Sequence, residues 1–283
     1  MISMAAPRDD EFIWTLESSH RLTPRISLHT FTRSGQPGRS TNIRPSGKVT
    51  LQFPPDLDPI AGSHNLSEED RRLDFTPCHF EHDASGNLAS FSFMAGNGRV
   101  AGLIGLPRPQ GQLTARLVDV GNGFPDNLLA SNEGKACIAG GTGIACFLSL
   151  ASGRGWQDIS EESESTLMCS IRGDDFKIIE FFLEKQILNV SDWASVRIFI
   201  TSGDDVDGLT AGKPESWWRS RFDSLRQQFP GPLEFSLGRM AQKDLEPFLA
   251  EASTDILFCG SKSLEWQIKM WSLGRAAVHC TER

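Results

Sequence analysis

The sequence predicts two domains: an antiparallel β-barrel over residues 1–130, then a doubly wound parallel α/β domain over residues 131–283. Three observations carry this reading. The first 130 residues hold short alternating or β-branched runs broken by Gly, Pro, Ser and Asn clusters, with little helical periodicity. From Lys135 onward strand-like and helix-like segments alternate, the pattern of a parallel sheet with crossover helices. Where the two regimes meet, Lys135–Phe147 (KACIAGGTGIACF) joins an apolar strand to a helix through Gly140, Gly141, Thr142 and Gly143.

In the first domain strands are expected at Phe12–Leu16, Arg25–Thr32, Lys48–Phe53, Leu88–Met94 and Leu113–Val120. Pro54–Arg72 is polar and reads as a surface loop with one helical turn at SEEDRR. In the second, Cys137–Ala139 is apolar enough for a central strand and feeds a helix from Ile144, whose unpaired N–H groups face the glycine turn. Such a turn either cradles a phosphate or is a plain tight connection. After a solvated connection, Ala151–Ser165, come a strand at Thr166–Ile171, a helix at Asp174–Leu188 and a strand at Val196–Thr201. A helix at Glu215–Phe229, a strand at Leu233–Leu237, a helix at Lys243–Glu251, a strand at Asp255–Cys259 and a helix at Leu264–Leu273 complete the alternation. A ligand of such a sheet lies beyond the carboxyl ends of its strands, where Gly140–Gly143, Arg172, Ser202–Asp205, Arg239 and Cys259–Gly260 fall.

Composition narrows the function. With 39% hydrophobic and 23% charged residues the chain reads as a soluble globular protein. A net charge of -8 without a basic run disfavours nucleic acid and anionic membranes as partners. There is no run of about 18 apolar residues, and the N-terminus lacks the layout of a secretion signal, so the cytoplasm is the expected location. Six cysteines without a CxxC pair argue against zinc and against a disulfide framework. They are expected to be mostly core thiols.

A β-rich front half, a strand running into GGTGI (Gly140–Ile144), and a later strand ending in FCGS (Phe258–Ser261) resemble the ferredoxin reductase-like flavoprotein family. CSIRGDD (Cys169–Asp175) is similar to the family's strand-end Ser-x-Arg, which binds adenosine phosphate or ribose, and LGR (Leu237–Arg239) also matches. NLSEEDRRLDFTP followed by GNGRVAGLI resembles a fungal branch of it. The resemblance implies FAD on the barrel and NAD(P)H on Gly140, Gly141, Thr142, Gly143, Arg172, Arg239 and Gly260. Asp204 and Asp205 would then suit a ribose hydroxyl, and so NADH, although they could equally be a turn.

Each flavin anchor departs from that pattern. Where the family has Arg-x-Tyr-Ser/Thr, the cation position is Leu73, the ring is Phe75 and the hydroxyl is Thr76. Arg72 is adjacent, but neighbouring strand residues face opposite sides, so it replaces the lost charge only if a bulge re-aims it. Gly98-Arg99-Val100-Ala101 lacks the family's phosphate-binding hydroxyl, and Thr281-Glu282-Arg283 lacks its terminal aromatic. The expectation is a decayed flavin site with no favoured cofactor, and a vacated cleft that takes a hydrophobic small molecule. Phe75, Val100, Thr142, Cys259, His279 and Glu282 would line it. Thr76, His79 or Arg99 would donate to a substrate carbonyl in a redox-neutral cyclisation, such as a cycloaddition in a natural-product pathway. Two alternatives stand beside it: a working FAD- and NAD(P)H-dependent oxidoreductase, and a non-catalytic nucleotide-binding module using Gly140–Gly143 and Arg172.

Overall fold

The structure, a computed structural model, describes residues 13–34, 43–60, 64–98, 100–108, 111–129, 134–152, 165–202, 210–250 and 254–281. The chain divides into two compact units, Met1–Gly121 and Asn122–Arg283. The division falls ahead of the boundary expected at 130.

The first unit is a seven-stranded sheet. Its strands are β1 (Ile13–Arg21), β2 (Ile26–Ser34), β3 (Val49–Gln52), β4 (Arg72–Phe75), β5 (Pro77–His82), β6 (Leu88–Gly96) and β7 (Thr114–Val120). They lie in the order β4-β3-β7-β1-β2-β6-β5, paired antiparallel. The two ends of that order, β4 and β5, are consecutive in the chain and joined by Thr76 alone. Laid flat, they would be about 29 Å apart at about 4.8 Å per strand, far beyond the reach of one residue. The sheet therefore rolls up, and the rolled sheet is the expected barrel. Alternation along the strands turns Trp14, Phe31, Phe91 and Phe93 inward, where they form the core with Phe53, Val49 and Leu51. Trp14 meets Phe91 edge-on at 4.7 Å between centroids.

Sequence reasoning did not find β5, PCHFEH. It opens on proline and carries His79, Glu81 and His82, and a strand at the end of the sheet order needs only Cys78 and Phe80 inside.

Two polar side chains are built into this unit. Arg108 places all five of its N–H donors on main-chain carbonyls. Nε donates to Asp56 (3.2 Å), Nη1 to Ile104 (3.1 Å) and Leu106 (2.9 Å), and Nη2 to Leu57 (3.1 Å) and Leu103 (3.0 Å). It thereby ties the turn Pro55–Leu57 to the turn Ala101–Leu103. His29, on β2, is 2% exposed beside the Phe93 ring, and its Nδ1 has no hydrogen-bond partner among the described residues. Burial lowers its pKa to about 4.

The second unit contains α1 (Asp126–Leu129), β8 (Lys135–Gly140), α2 (Ile144–Ser152), β9 (Thr166–Arg172), α3 (Lys177–Glu184) and β10 (Ser195–Thr201). It continues with α4 (Glu215–Gln228), β11 (Leu233–Leu237), α5 (Gln242–Leu249), β12 (Asp255–Cys259), α6 (Lys262–Trp271) and β13 (Val278–Cys280). All strand pairs are parallel, in the order β11-β10-β9-β8-β12-β13. Ala136, Ile138, Met168, Ile256 and Phe258 face Leu245, Leu249 and Ile268 across one side of the sheet. The helix expected over Asp174–Leu188 is shorter because Gly173–Asp175 forms a 3-10 turn before it and Gln186 takes a left-handed φ of 56° after it. The three-residue β13 escaped notice because it is too short to show a period. No described helix is long and apolar enough to cross a membrane.

Replacing Arg108 by Met should lower unfolding free energy by about 3 kcal/mol or more, since several carbonyls each lose a bond worth about 1 kcal/mol; urea unfolding midpoints read this, and Arg108→Lys should recover only part. His29 gives a pH signature. Its folded pKa lies below the unfolded value near 6.5, so its stabilising share is complete above about pH 6.5 and falls as pH drops toward 4, by about 3 kcal/mol in all. Thermal melts of the wild type and His29→Leu between pH 7.5 and 4.5 should show the wild type losing stability relative to the variant as the pH falls, by about 2–3 kcal/mol over that range.

Candidate functional site at the carboxyl ends of the parallel strands

The order of the parallel sheet fixes where a ligand can enter. From β8 the chain builds outward to β11, then returns to the other side of β8 as β12. Right-handed crossovers in opposite directions put their helices on opposite faces, so the crevice opens between β8 and β12. The glycine turn ends β8 and Cys259–Gly260 ends β12, so the two loops meet there.

They meet backbone to backbone. A Cβ on Gly143 would lie 2.1 Å from the Cys259 carbonyl oxygen, and one on Gly260 would lie 2.9 Å from the Gly140 nitrogen. A Cβ on Gly140 would come 3.1 Å from Leu264 of α6. Gly141 differs: its φ is 58°, and a Cβ there meets nothing within 4 Å. Two of these glycines are therefore required by contact and one by conformation. The turn Gly141–Gly143 runs straight into α2. Ser261 caps α6, its Oγ accepting from Leu264 N at 3.4 Å.

Cations flank the crevice on one side. Arg172 ends β9 and Arg239 follows β11; both are exposed, and neither has a hydrogen bond or ion pair among the described residues. One strand separates theirs, which sets the strand axes about 10 Å apart. Free guanidinium groups near backbone N–H donors suit a phosphate-bearing ligand. Thr142 is exposed in the turn, and Cys259 is partly buried, its Sγ 3.5 Å from the Thr281 hydroxyl. His279 does not turn toward this end: its Nε2 lies 2.9 Å from Asp255 Oδ1, and Asp255 begins β12. Of the other thiols, Cys78, Cys137 and Cys169 are buried, and burial pushes each up to about 12.

In the first unit the residues at the flavin-anchor positions pack inward. The β3–β4 register runs Val49↔Phe75, Thr50↔Asp74, Leu51↔Leu73, Gln52↔Arg72 without a shift, so no bulge turns Arg72 inward. Arg72 is exposed, whereas Leu73 packs on the core. Phe75 is 8% exposed and stacks on Phe93 at 3.9 Å. Val100 and Ala101 pack against the same core. These residues do not fit a flavin pyrophosphate held in the family's manner, because Leu73 leaves no cation at the first anchor and Ala101 no hydroxyl at the second.

Thr76 links β4 to β5, partly buried. His79 carries a buried Nδ1 without a hydrogen-bond partner among the described residues, and its Nε2 is 3.9 Å from Glu81. Burial lowers the His79 pKa against the opposing pull of Glu81, so the ring is neutral at pH 7. Arg99, Asp204, Asp205 and Glu282 lie outside the described residues. Among the described residues no three His, Cys, Asp or Glu side chains gather to hold a metal.

The glycine contacts predict unequal costs. Gly143→Ala should unfold the protein or destabilise it by more than about 3 kcal/mol, since both colliding partners are backbone. Gly141→Ala should cost only about 1–2 kcal/mol, the price of a left-handed φ. Expression yield and denaturant midpoints of the two variants check the order.

No protein-family model matches the sequence, and no curated protein matches it. Solved structures do. The CS-b5R domains of human Ncb5or (NAD+ form) superpose with a TM-score of 0.60 at 17% identity, over 95% of this chain and 69% of that one. A ferredoxin NADP+ reductase from Neisseria gonorrhoeae with bound FAD and NADP gives 0.55 at 12% identity, over 95% and 97%. The FAD/NAD binding domain of nitric oxide dioxygenase from Vibrio cholerae gives 0.59 at 10%, over 95% and 98%. With its rolled antiparallel sheet followed by a parallel sheet in the order 4-3-2-1-5-6, the chain has the two-domain ferredoxin reductase-like fold.

Proposed function

We propose that this protein is a small-molecule enzyme of reductase fold that works redox-neutrally and does not depend on a flavin held at the family's anchors. One observation carries the reading: Leu73 and Phe75 are packed into the barrel core in an unbroken register, with Arg72 on the opposite, exposed side. A hydrophobic substrate is the corresponding expectation, with Thr76 and neutral His79 as hydrogen-bond donors to a carbonyl and Arg99 a third by its place in the sequence. Holding a flexible substrate in a reactive fold can supply about 7–11 kcal/mol, and a donor aimed at developing negative charge adds to it. A cyclisation, including a cycloaddition, needs no more than these two contributions.

A second reading has its own support. Arg172 and Arg239, both uncommitted, together with the Gly140–Gly143 turn favour a nucleotide at the carboxyl end of the parallel sheet. There the turn's N–H groups would meet phosphate oxygens and Arg172 a ribose or phosphate. On this reading NAD(P)H is a ligand, and the protein is a nucleotide-binding module.

Absorption and titration separate the readings. The purified protein should carry no flavin band stoichiometric with protein. Its affinity for added FAD should fall about 10- to 150-fold for each charge-assisted hydrogen bond lost, at about 1.5–3 kcal/mol apiece. A flavin band near one per chain would overturn the proposal. Saturable binding of NADH or NADPH that weakens in Arg172→Ala, without turnover, would favour the second reading.

A further inference from the structure

Away from the strand ends, a groove of about 740 Å³ lies between α3 and α4, within the usual size of a small-molecule site. None of Gly140–Gly143, Arg172 or Arg239 lines it. Its floor is rigid. Trp218 is buried, donates from Nε1 to the Thr210 carbonyl at 3.0 Å, and meets Phe176 edge-on at 5.2 Å. Gly173 completes the floor, and a Cβ there would come 2.8 Å from Ala211.

One rim is a strained turn. Thr210 and Lys213 exchange two backbone hydrogen bonds of 3.1 and 3.0 Å around Ala211 (φ 51°) and Gly212 (φ 68°). Alanine rarely adopts that φ, and such strain persists only where the surroundings impose it. The Trp218–Thr210 bond is the tether, and the turn delivers Lys213 to the groove. There its Nζ stands 5.5 Å over the ring of Trp217, an indole left 42% exposed.

The charges have a direction. Glu180 and Arg221 pair at 2.5 Å along the wall and cancel. Lys177, Lys213 and Asp174 remain, none with a side-chain hydrogen bond or ion pair among the described residues, leaving one net positive charge in a chain of net charge -8.

We infer that this groove is a second ligand site, for a planar aromatic carboxylate. The ligand's ring lies against exposed Trp217, its carboxylate meets Lys213 and Lys177, and Asp174 is free to accept an N–H or O–H from its far end. No feature of the sequence marked it, because the site is made where a turn and two helices converge.

Calorimetric titration of the full chain with 2-naphthoate tests this, with neutral 2-naphthamide as the comparison. One-site saturable binding of naphthoate is expected, with naphthamide about tenfold weaker. Trp217→Ala and Lys213→Gln should each weaken naphthoate about tenfold while leaving the melting temperature within a few degrees; Trp217→Phe should restore most of the affinity. Absence of saturable binding, equal affinity for both compounds, or affinity lost in Arg172→Ala but kept in Lys213→Gln would each overturn the inference.

Discussion

The binding end of the α/β unit depends on how closely two backbones can approach. β8 and β12 are neighbours, yet the helices that follow them leave for opposite faces, so both turns must begin in the space of one strand separation. The Gly143 backbone fills that space against the Cys259 carbonyl, with Gly260 against Gly140. Any side chain at Gly143 would force the loops apart and carry the start of α2 with them. The N–H groups that make this end suitable for an anion are thus positioned by a steric constraint, not by a side chain. The helix that follows is buried from Ile144 to Ala151, and its one polar side chain there, Ser149, donates to the Cys146 carbonyl at 2.8 Å.

Much of the architecture was legible because the signals were local. Leu233–Leu237 and Asp255–Cys259 are short apolar runs bounded by polar or glycine residues, and they became strands with those ends. GGTG announced a strand-to-helix turn, since three glycines in four residues serve little else. What stayed hidden depends on partners far away in sequence. β5 reads as polar until Cys78 and Phe80 are seen to close the barrel end. The contact demanding Gly143 comes from residue 259, and no local pattern could have told its role from that of Gly141. His279 lies in the short last strand, yet its side chain turns back to Asp255, a choice made by the β12–β13 pairing.

The barrel raises a different question, whether a charge one residue out of place can do the work of the one that is missing. A strand answers through its register. To bring Arg72 inward, β4 must slip by one residue against β3 or bulge, and either would turn Leu73 and Phe75 out of the core. The outer side resists as well: Asp74 accepts from Lys48 Nζ at 2.8 Å and from the Thr50 hydroxyl at 2.7 Å, contacts that exist only in the present register. Phe75 adds its stacking on Phe93. Burying an aromatic side chain is worth about 1.5–3 kcal/mol and the pair about 0.5–1.5 more, so the slip would forfeit more than a single new hydrogen bond to phosphate returns. Apolar packing inside the barrel and an ion pair outside it hold the same alignment, and together they keep Arg72 facing water.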